Sequence, residues 1–280
     1  MKIVTSVVNN PIFIEIQYHT LKKYIQGEYE FIVFNDAKDF PDVTNGNDVT
    51  IKKQLQEICS KLNIKCININ NAHHANLSMS NRHTDTFNNH VIKYQKENPD
   101  KYLLLDSDMF LVDYFDINKY SQYDCAIVLQ NRNNEGYLWP GLCYLDMTKI
   151  KHFDLINWDI CPGFDSGGMT KEWLKIQMAN TPIPDTNEIR LSNKIFHTNG
   201  VYFIKHLWSC SWDINELPKH LQNHTNLIDF LKHDVRNSNG KFFCEIYDDV
   251  FLHYRAGSNW LNEGIEMHKI LSQLLKRSLL

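Results

Sequence analysis

One segment constrains the fold of this chain more than any other, an apolar run that ends in two closely spaced carboxylates. The run is Tyr102-Leu103-Leu104-Leu105, Asp106-Ser107-Asp108 follows it, and apolar sequence resumes at Met109. A short apolar run without polar alternation is typical of a strand buried on both faces, as in the middle of an α/β sheet. Such strands present ligand-binding residues at their carboxyl ends. Two carboxylates there, one residue apart, are suited to holding a hard divalent cation through oxygen ligands.

Strand and helix patterns alternate along the first 110 residues. The apolar spacing predicts strands near 2–8, 29–34, 65–69 and 102–105, and helices near 12–26, 48–62 and 81–97. Pro11 suits the first turn of the first helix, and Gly27 suits its end. Repetition at this spacing favours a parallel sheet with right-handed crossovers. The predicted class is therefore α/β, with a Rossmann-like, mostly parallel central sheet flanked by helices.

The second half of the chain has shorter and less regular elements. Strand-like pieces occur near 125–129, 142–145, 201–205, 242–246 and 251–254, and helical patterns near 170–179 and 213–233. The last segment, 261–280, is predicted to be an amphipathic helix, with Leu271 and Leu275 on its apolar face. Docking on its own domain is the favoured interpretation of that face, and weak contact with a membrane surface is the alternative. We expect a single domain over 1–260.

Composition and charge exclude several classes of function. The net charge of −4 gives no basic face for nucleic acid. No apolar run approaches the ~20 residues of a membrane span, and the strand-like Lys2–Val8 is too short for a secretory leader. The seven cysteines are scattered and include no C-x-x-C pair. We therefore expect reduced thiols, a cytoplasmic location and no zinc–cysteine site.

The Asp106-Ser107-Asp108 motif, placed after about 100 residues of strand and helix, resembles the D-x-D of GT-A fold glycosyltransferases. In that family the motif binds Mn²⁺ or Mg²⁺ together with the diphosphate of a nucleotide sugar. The resemblance implies a GT-A fold, a nucleotide-binding half at 1–112 and an acceptor-binding half at 113–260. It favours a UDP-sugar over a GDP-sugar as donor, with a glycan or another hydroxyl compound as acceptor. The alternative is a pair of solvated aspartates where a strand meets a loop.

A second motif, His253-Tyr254-Arg255-Ala256-Gly257-Ser258-Asn259-Trp260, resembles the closing segment of glycogenin-like and bacterial galactosyltransferase-like enzymes. There the histidine is the third protein ligand of the metal, and the glycine turn brings backbone and a basic residue to the diphosphate. Here the glycine comes one position later, and Asn259 replaces an expected lysine–proline pair. Arg255 is therefore the candidate phosphate contact. A set of two carboxylates and one imidazole suits Mn²⁺ better than Mg²⁺.

Further donor contacts are predicted at two places. In such enzymes the ends of the first two strands hold the base and ribose, which here singles out Val7, Val8, Asn9 and Asp36. Asp36 is a candidate acceptor for a ribose hydroxyl or a base N–H, and an Asx-turn is the alternative. On the 81–97 helix, helical spacing places three polar residues on one face, namely Arg82, Asp85 and Asn89. In relatives, a basic or amide residue on that face reaches the donor phosphate or sugar. A solvated helix face is the alternative there. Ser107 completes the predicted set.

Two segments resemble the acceptor-binding side of these enzymes, Tyr137–Leu142 and Gly163–Gly168. Asp165 is the candidate catalytic residue. In an inverting enzyme it would be the general base that takes the acceptor proton, and in a retaining one it would bind the donor sugar or stabilise the oxocarbenium-like centre. Its structural alternative is a helix N-cap, and Glu172 is a second candidate base.

Two other functions are compatible with the motif. Haloacid-dehalogenase-like phosphatases also have a strand that ends in D-x-D, and Asp248-Asp249 resembles their later acidic motif. Phe110 stands where they carry Thr or Val, and their motif lies near the N-terminus. A catalytically inactive sugar-nucleotide-binding module is the other alternative.

Overall fold

The computed structural model describes residues 1–179, 181–191, 195–260 and 264–280. Its strands are β1 Lys2–Val7, β2 Ile25–Gln26, β3 Glu30–Asn35, β4 Lys65–Asn68, β5 Lys101–Asp106, β6 Met109–Leu111, β7 Phe115–Asp116, β8 Cys125–Arg132, β9 Glu135–Asp146, β10 Phe196–Thr198, β11 Val201–Phe203, β12 His206–Leu207, β13 Glu245–Tyr247 and β14 Phe251–His253. Its helices are α1 Pro11–Tyr24, α2 Ile51–Lys61, α3 Met79–Thr86, α4 Ile92–Glu97, α5 Asn118–Ser121, α6 Thr170–Met178, α7 Thr186–Leu191, α8 Thr225–His233 and α9 Ile265–Leu279. A π-helical turn, Phe87–Val91, joins α3 to α4, and 3₁₀ turns occur at Ala72–Asn76, Phe153–Leu155 and Lys219–Leu221.

The central sheet has eight strands in the order β4-β3-β1-β5-β9-β8-β11-β10. Strands β4, β3, β1 and β5 run parallel to one another, and β8 runs parallel to β11. Strand β9 is antiparallel to both of its neighbours, and β10 is antiparallel to β11. The predicted α/β class with a mostly parallel central sheet is thus confirmed. The carboxyl ends of β1, β3 and β5 meet at one edge of this sheet.

Both faces of the sheet are covered, as the apolar run of β5 predicts. Leu103 and Leu105 pack in one core with apolar residues of α1 and α2. Tyr102 and Leu104 point to the other face and pack against apolar residues of the 79–97 helix and α6. All four side chains are buried, because successive residues of a strand point to opposite faces.

The β8–β9 pair is a tight hairpin rather than two short strands around a long loop. Asn133 and Asn134, which connect the strands, both have positive φ. Two such residues form the hairpin turn whose twist matches that of the flanking strands. Strand β9 is consequently longer than its predicted core at 142–145, and Tyr137–Leu142 lies inside it.

A second sheet of four short strands, β12-β13-β14-β6, packs beside the first. Its apolar residues share a third core with α1, α8 and α9. Strand β14 pairs antiparallel with β6, and the register places His253 opposite Met109. A residue near the end of the chain is thereby brought next to the D-x-D motif.

The predicted helix at 213–233 is wrong over its first half. Only Thr225–His233 is helical, after a 3₁₀ turn at Lys219–Leu221. Pro218 explains the difference, because a proline disfavours helical backbone at the residue before it. The helix begins where the His224 side chain accepts a hydrogen bond from the Leu227 N–H at 3.2 Å.

The C-terminal helix α9 docks on the domain itself. His268, Leu271 and Leu275 are buried, and the two leucines lie in the third core with α1 and α8. The start of the predicted segment, 261–263, lies outside the described residues. Within the described ranges, no helix is both long and apolar enough to cross a membrane.

Candidate metal site and active-site cleft

Three predicted metal ligands converge at the edge where the parallel strands end. Asp106 is the last residue of β5, Asp108 directly precedes β6, and His253 ends β14. The Tyr254 N–H donates to the Asp108 carbonyl at 2.8 Å, which extends the β14–β6 pairing to the motif. Nε2 of His253 lies 3.3 Å from Oδ1 of Asp108 and 4.0 Å from Oδ2 of Asp106. The ligand atoms of all three lie within 4.8 Å of one another.

A buried carboxylate, Glu245, fixes the orientation of His253. Its Oε2 lies 2.8 Å from Nδ1 of His253 and also accepts a hydrogen bond from the Tyr247 hydroxyl at 2.7 Å. Its Oε1 accepts from the Ser209 N–H at 3.1 Å. Metal-binding histidines commonly donate the second ring N–H to such a carboxylate, which leaves the other nitrogen for the cation. Sequence analysis missed Glu245, although an acidic residue between Cys244 and Ile246 is a detectable irregularity in an apolar strand.

The charges of this cluster are arranged to favour a cation. Burial raises the pKa of Asp106, and the neighbouring Asp108 raises it further. Burial opposes ionisation of Asp108 as well, but His253 and the Gly257 N–H hold its pKa below the usual value. For His253, burial is outweighed by Asp108 and Glu245, which raise its pKa to about 10. Three carboxylates around one imidazole thus form a site of net negative charge.

The donor set therefore fits a divalent metal. Carboxylate oxygens and one imidazole nitrogen are ligands that Mn²⁺ accepts, and Mg²⁺ accepts the oxygens. A bound cation takes the place of a proton on a ligand nitrogen, and Nε2 of His253 is the atom that faces both aspartates.

The loop after β14 closes over the motif with unusual backbone. Arg255 and Ala256 both have positive φ, and the Gly257 N–H donates to Oδ2 of Asp108 at 2.8 Å. A Cβ at Gly257 would lie 2.6 Å from the Phe13 ring, so only glycine fits there without displacement. Arg236 holds the loop by donating to the carbonyls of Tyr254 and Arg255 at 2.9 and 2.7 Å.

The triad lies in the wall of a cleft of about 700 Å³. Three aromatic residues line it near the triad: Trp139, Trp208 and Tyr247. Trp139 stacks on Tyr247 with ring centroids 5.3 Å apart and also contacts the His253 ring at 5.2 Å. Three other tryptophans, Trp158, Trp173 and Trp212, are core residues with no exposed surface.

A smaller pocket of about 260 Å³ adjoins the cleft at the ends of β1 and β3. Residues that line both hollows include His83, Asp165, Ser258 and Asn259. The triad therefore stands beside a cleft that is continuous with a second, smaller recess. A ligand with two parts joined by a charged linker would match this arrangement.

The predicted contacts at the strand ends divide into buried and accessible residues. Val8 lines the smaller pocket, whereas Val7 is wholly buried in the core. Asn9 is buried, and its Nδ2 donates to the carbonyls of Thr44 and Ser258 at 2.7 and 2.9 Å. It thus joins the end of β1 to two loops of the pocket wall.

Asp36 lines the smaller pocket, but its carboxylate already has protein partners. Oδ1 accepts from Lys38 and Asn71, each at 2.7 Å, and Oδ2 accepts from Thr86 at 2.9 Å. Oδ2, with a single donor, is the Asp36 oxygen that retains capacity to accept a further hydrogen bond. Lys38, wholly buried beside it, is a pocket residue that sequence analysis missed.

The three residues predicted on one face of the 81–97 helix are separated in the structure. Arg82 lines the smaller pocket, with Nη1 2.7 Å from Oδ2 of Asp42. Asp85 and Asn89 bond to each other at 2.7 Å and line a different hollow. His83 faces the cleft instead, and its Nε2 is buried without a hydrogen-bond partner.

The remaining predicted residues are near the triad to different degrees. Arg255 lines the cleft, where its Nη1 donates to the Ser209 hydroxyl at 2.8 Å. Ser107 is buried between the two aspartates, and Trp260 is buried in the first core.

Asp165 lies at the mouth of both hollows, with its side chain about half exposed. Its Oδ2 lies 3.6 Å from Nη2 of Arg132. Helix α6 begins at Thr170 with Met169 as its N-cap, so Asp165 does not cap it. Glu172 is exposed on α6, 3.5 Å from Lys175.

Comparisons with known proteins find a partial structural likeness only. No protein-family model matches the sequence, and no curated protein matches it. A solved structure of galactosyltransferase LgtC in complex with donor and acceptor sugar analogs is similar at a TM-score of 0.37 and 15% identity, over 56% of this chain and 62% of that one. A structure of an active-site mutant of LgtC is similar at a TM-score of 0.43 and 13% identity, over 72% and 87%. In the first comparison, the matched region spans less than two thirds of LgtC.

Proposed function

We propose that this chain is a metal-dependent glycosyltransferase of the GT-A type, which transfers a sugar from a nucleotide-diphosphate donor to a hydroxyl acceptor. One observation carries the proposal, the convergence of Asp106, Asp108 and His253 in the wall of a cleft that adjoins a second, smaller pocket. The site draws on both predicted halves of the domain, 1–112 and 113–260.

Residues of this chain would bind the donor through the negative charge of its diphosphate. Asp106, Asp108 and His253 would ligate Mn²⁺, or Mg²⁺, with Glu245 fixing the imidazole. A metal held by these residues would stabilise the negative charge of a departing nucleoside diphosphate by several kcal/mol. Arg255, Ser258 and Asn259 line the cleft on the loop after β14 and would contact the phosphates.

The smaller pocket is the proposed place of the base and ribose. Val8 and Arg82 line it, and Asn9 holds two of its loops together. A UDP-sugar is favoured over a GDP-sugar because UDP donors prevail in the family that the motifs resemble.

The larger cleft would then hold the acceptor. Trp139 and Trp208, both partly exposed, offer apolar ring surface for sugar rings, since amphipathic aromatics combine such surface with a polar tip. Asp165 is the proposed catalytic residue. Its exposed carboxylate can act as the base of an inverting enzyme or stabilise the donor sugar of a retaining one.

The phosphatase alternative is less well supported by the geometry. Asp248, which would supply the later acidic motif, is buried away from the cleft lining. Its carboxylate accepts hydrogen bonds from Lys119, Tyr120 and Tyr202 at 2.7 to 2.9 Å. These bonds indicate a structural role for Asp248.

Thermal unfolding with UDP, GDP, CMP and ADP, each with and without Mn²⁺, tests the proposal. We expect a metal-dependent rise in Tm with UDP, because a ligand at 100 times its Kd stabilises the folded state by about 2.7 kcal/mol. Asp108→Ala should abolish the rise. If no nucleotide raises the Tm of the wild type, the transferase proposal fails, and hydrolysis of p-nitrophenyl phosphate becomes the next assay. If UDP binds without any transfer or hydrolysis of UDP-sugars, the inactive module is favoured.

Glu245→Gln is expected to lower the affinity for Mn²⁺ by 10–100-fold, on the order found for carboxylates that orient metal-binding histidines. Glutamine keeps the shape of the side chain but loses the charge that favours His253 Nδ1–H. Tyr247→Phe, which removes a neighbouring hydroxyl bonded to the same Oε2, is the matched control and should change the affinity much less. Titration of Mn²⁺ followed by its paramagnetic resonance signal measures both, and equal losses would contradict a special role for Glu245.

A further inference from the structure

A second group of metal-ligand side chains lies outside the cleft. His73 and His74 are consecutive residues of the 3₁₀ turn Ala72–Asn76, and Asp85 projects from α3. Nε2 of each histidine lies 2.9 Å from the same atom, Oδ2 of Asp85. One ligand atom from each of the three residues lies within 4.8 Å of the others. The proposed transferase site uses none of them.

The group has the surroundings of a metal site. The other oxygen of Asp85, Oδ1, accepts from Nδ2 of Asn89 at 2.7 Å, which fixes the carboxylate. Nδ1 of His74 lies 3.5 Å from Oδ1 of Asp36, a carboxylate to which a metal-binding imidazole can donate. Burial lowers the pKa of His74, against the opposing influence of Asp85, and so favours the neutral ring that binds metals.

Lys38 does not prevent metal binding, although its Nζ lies 3.0 Å from Nδ1 of His74. In the metal-free arrangement this ammonium donates to Nδ1, so Nε2 carries the proton and donates to Asp85. A cation on Nε2 would move that proton to Nδ1, which would donate to Oδ1 of Asp36 once Nζ of Lys38 turns away from the ring. Lys38 retains two other acceptors, the carbonyl and Oδ1 of Asp36, both at 2.7 Å.

We propose that His73, His74 and Asp85 form a second divalent-cation site, suited to Zn²⁺. Two imidazoles and one carboxylate with an open fourth position are a ligand set that zinc adopts, whereas the D-x-D triad has the reverse proportion of oxygen to nitrogen. Neighbouring ligands of tetrahedral zinc are about 3.3 Å apart, as follows from its bond lengths, so the 2.9 Å hydrogen bonds need to widen only slightly.

The two sides of this site differ in exposure. His74 is wholly buried, while the His73 side chain is 53% exposed and can adjust to an incoming ion. A hollow of about 460 Å³ beside Asp85 leaves room for a water ligand. A cation here would join the 72–76 turn to α3 directly behind Asp36, in the wall of the smaller pocket.

The test uses Asp108→Ala protein, because the D-x-D triad also offers ligands to zinc. Titration of Zn²⁺ against a chromophoric chelator should show one site, and adding His73→Ala should weaken it at least 100-fold. His233→Ala is the matched control, since His233 also pairs with one aspartate, Asp229, but on the surface and without a second histidine. Co²⁺ should give the intense visible bands of tetrahedral coordination in Asp108→Ala and lose them with His73→Ala.

Equal zinc affinity with and without His73→Ala would overturn the inference. His73 is half exposed, so its loss should leave the protein folded, and thermal unfolding of metal-free samples checks this. The result is independent of the proposed transferase function. Nucleotide-dependent stabilisation by Mn²⁺ in the wild type requires only the D-x-D triad, and either site can fail while the other stands.

Discussion

Asp108→Asn is expected to lower the kcat/KM of metal-dependent donor turnover by on the order of a thousandfold or more, with little change in stability. Asparagine keeps a side-chain oxygen that can accept the hydrogen bond from the Gly257 N–H. In the wild type this N–H donates to Oδ2 of Asp108 at 2.8 Å. The substitution removes the negative charge that lies 3.3 Å from Nε2 of His253. Each ~1.4 kcal/mol of lost transition-state stabilisation is a factor of ten in rate, and a cation held by the triad would supply several kcal/mol to the leaving diphosphate.

The measurement is the initial rate of UDP-sugar hydrolysis or transfer at saturating Mn²⁺, together with Mn²⁺ affinity and the urea midpoint. Asp229→Asn, which neutralises an exposed aspartate of α8, is the matched control and should retain full activity. A variant that keeps its stability and its rate, while the wild type turns over donor, would show that catalysis does not depend on the triad.

The fold and the triad were within reach of sequence reasoning for a specific physical reason. The Tyr102–Leu105 run has no polar residue, so it had to be a strand covered on both faces, and the carboxyl ends of parallel strands share an edge. The pairing of Asp108 with His253 could be anticipated only from the resemblance of the closing segment. No local pattern indicates that β14 pairs with β6 in the register that sets His253 opposite Met109.

On the helix that faces the cleft, helical periodicity alone did not predict which polar side chains share a face. Arg82, Asp85 and Asn89 follow regular α-helical spacing, but Asn89 lies in the π-helical turn Phe87–Val91. A π turn holds more residues than an α turn, so positions after it rotate away from the face that 3.6 residues per turn predicts. His83 and Asp85 precede this turn and lie within α3, where His83 reaches the cleft and Asp85 turns to the two histidines of the neighbouring 3₁₀ turn.

The role of Glu245 and the antiparallel direction of β9 could not be predicted from the sequence, because both depend on tertiary contacts. Glu245 is an isolated acid in an apolar strand, and its function appears only once β13 lies beside β14. Strand β9 pairs with β5 in the central sheet and runs antiparallel to it. This pairing brings Gly141 close to the side chain of Asp106, and the sequence alone does not indicate that contact.

Gly141→Ala is expected to impair both the stability of the protein and its affinity for Mn²⁺. A Cβ at this position would lie 2.2 Å from the Trp139 ring and 2.7 Å from Oδ2 of Asp106. The indole stacks on Tyr247 and contacts His253, so displacing it disturbs the packing around the triad histidine. Overpacking of this kind costs about 1–3 kcal/mol, and the displaced Asp106 should weaken Mn²⁺ binding at least tenfold.

Two further variants separate these effects. Trp139→Leu removes the ring that the new methyl group would strike, so Gly141→Ala in that background should cost less stability but still weaken Mn²⁺ binding through Asp106. Gly240→Ala is the control, because that glycine has a φ of +72° and no atom within 4 Å of its Cβ position. It should cost about 1 kcal/mol of backbone strain and leave the Mn²⁺ affinity unchanged. Urea unfolding and Mn²⁺ titration of the wild type, the three single variants and the double variant give both quantities. Wild-type Mn²⁺ affinity in Gly141→Ala would mean that Asp106 can bind the cation from another rotamer, and that the close approach of β9 does not shape the site.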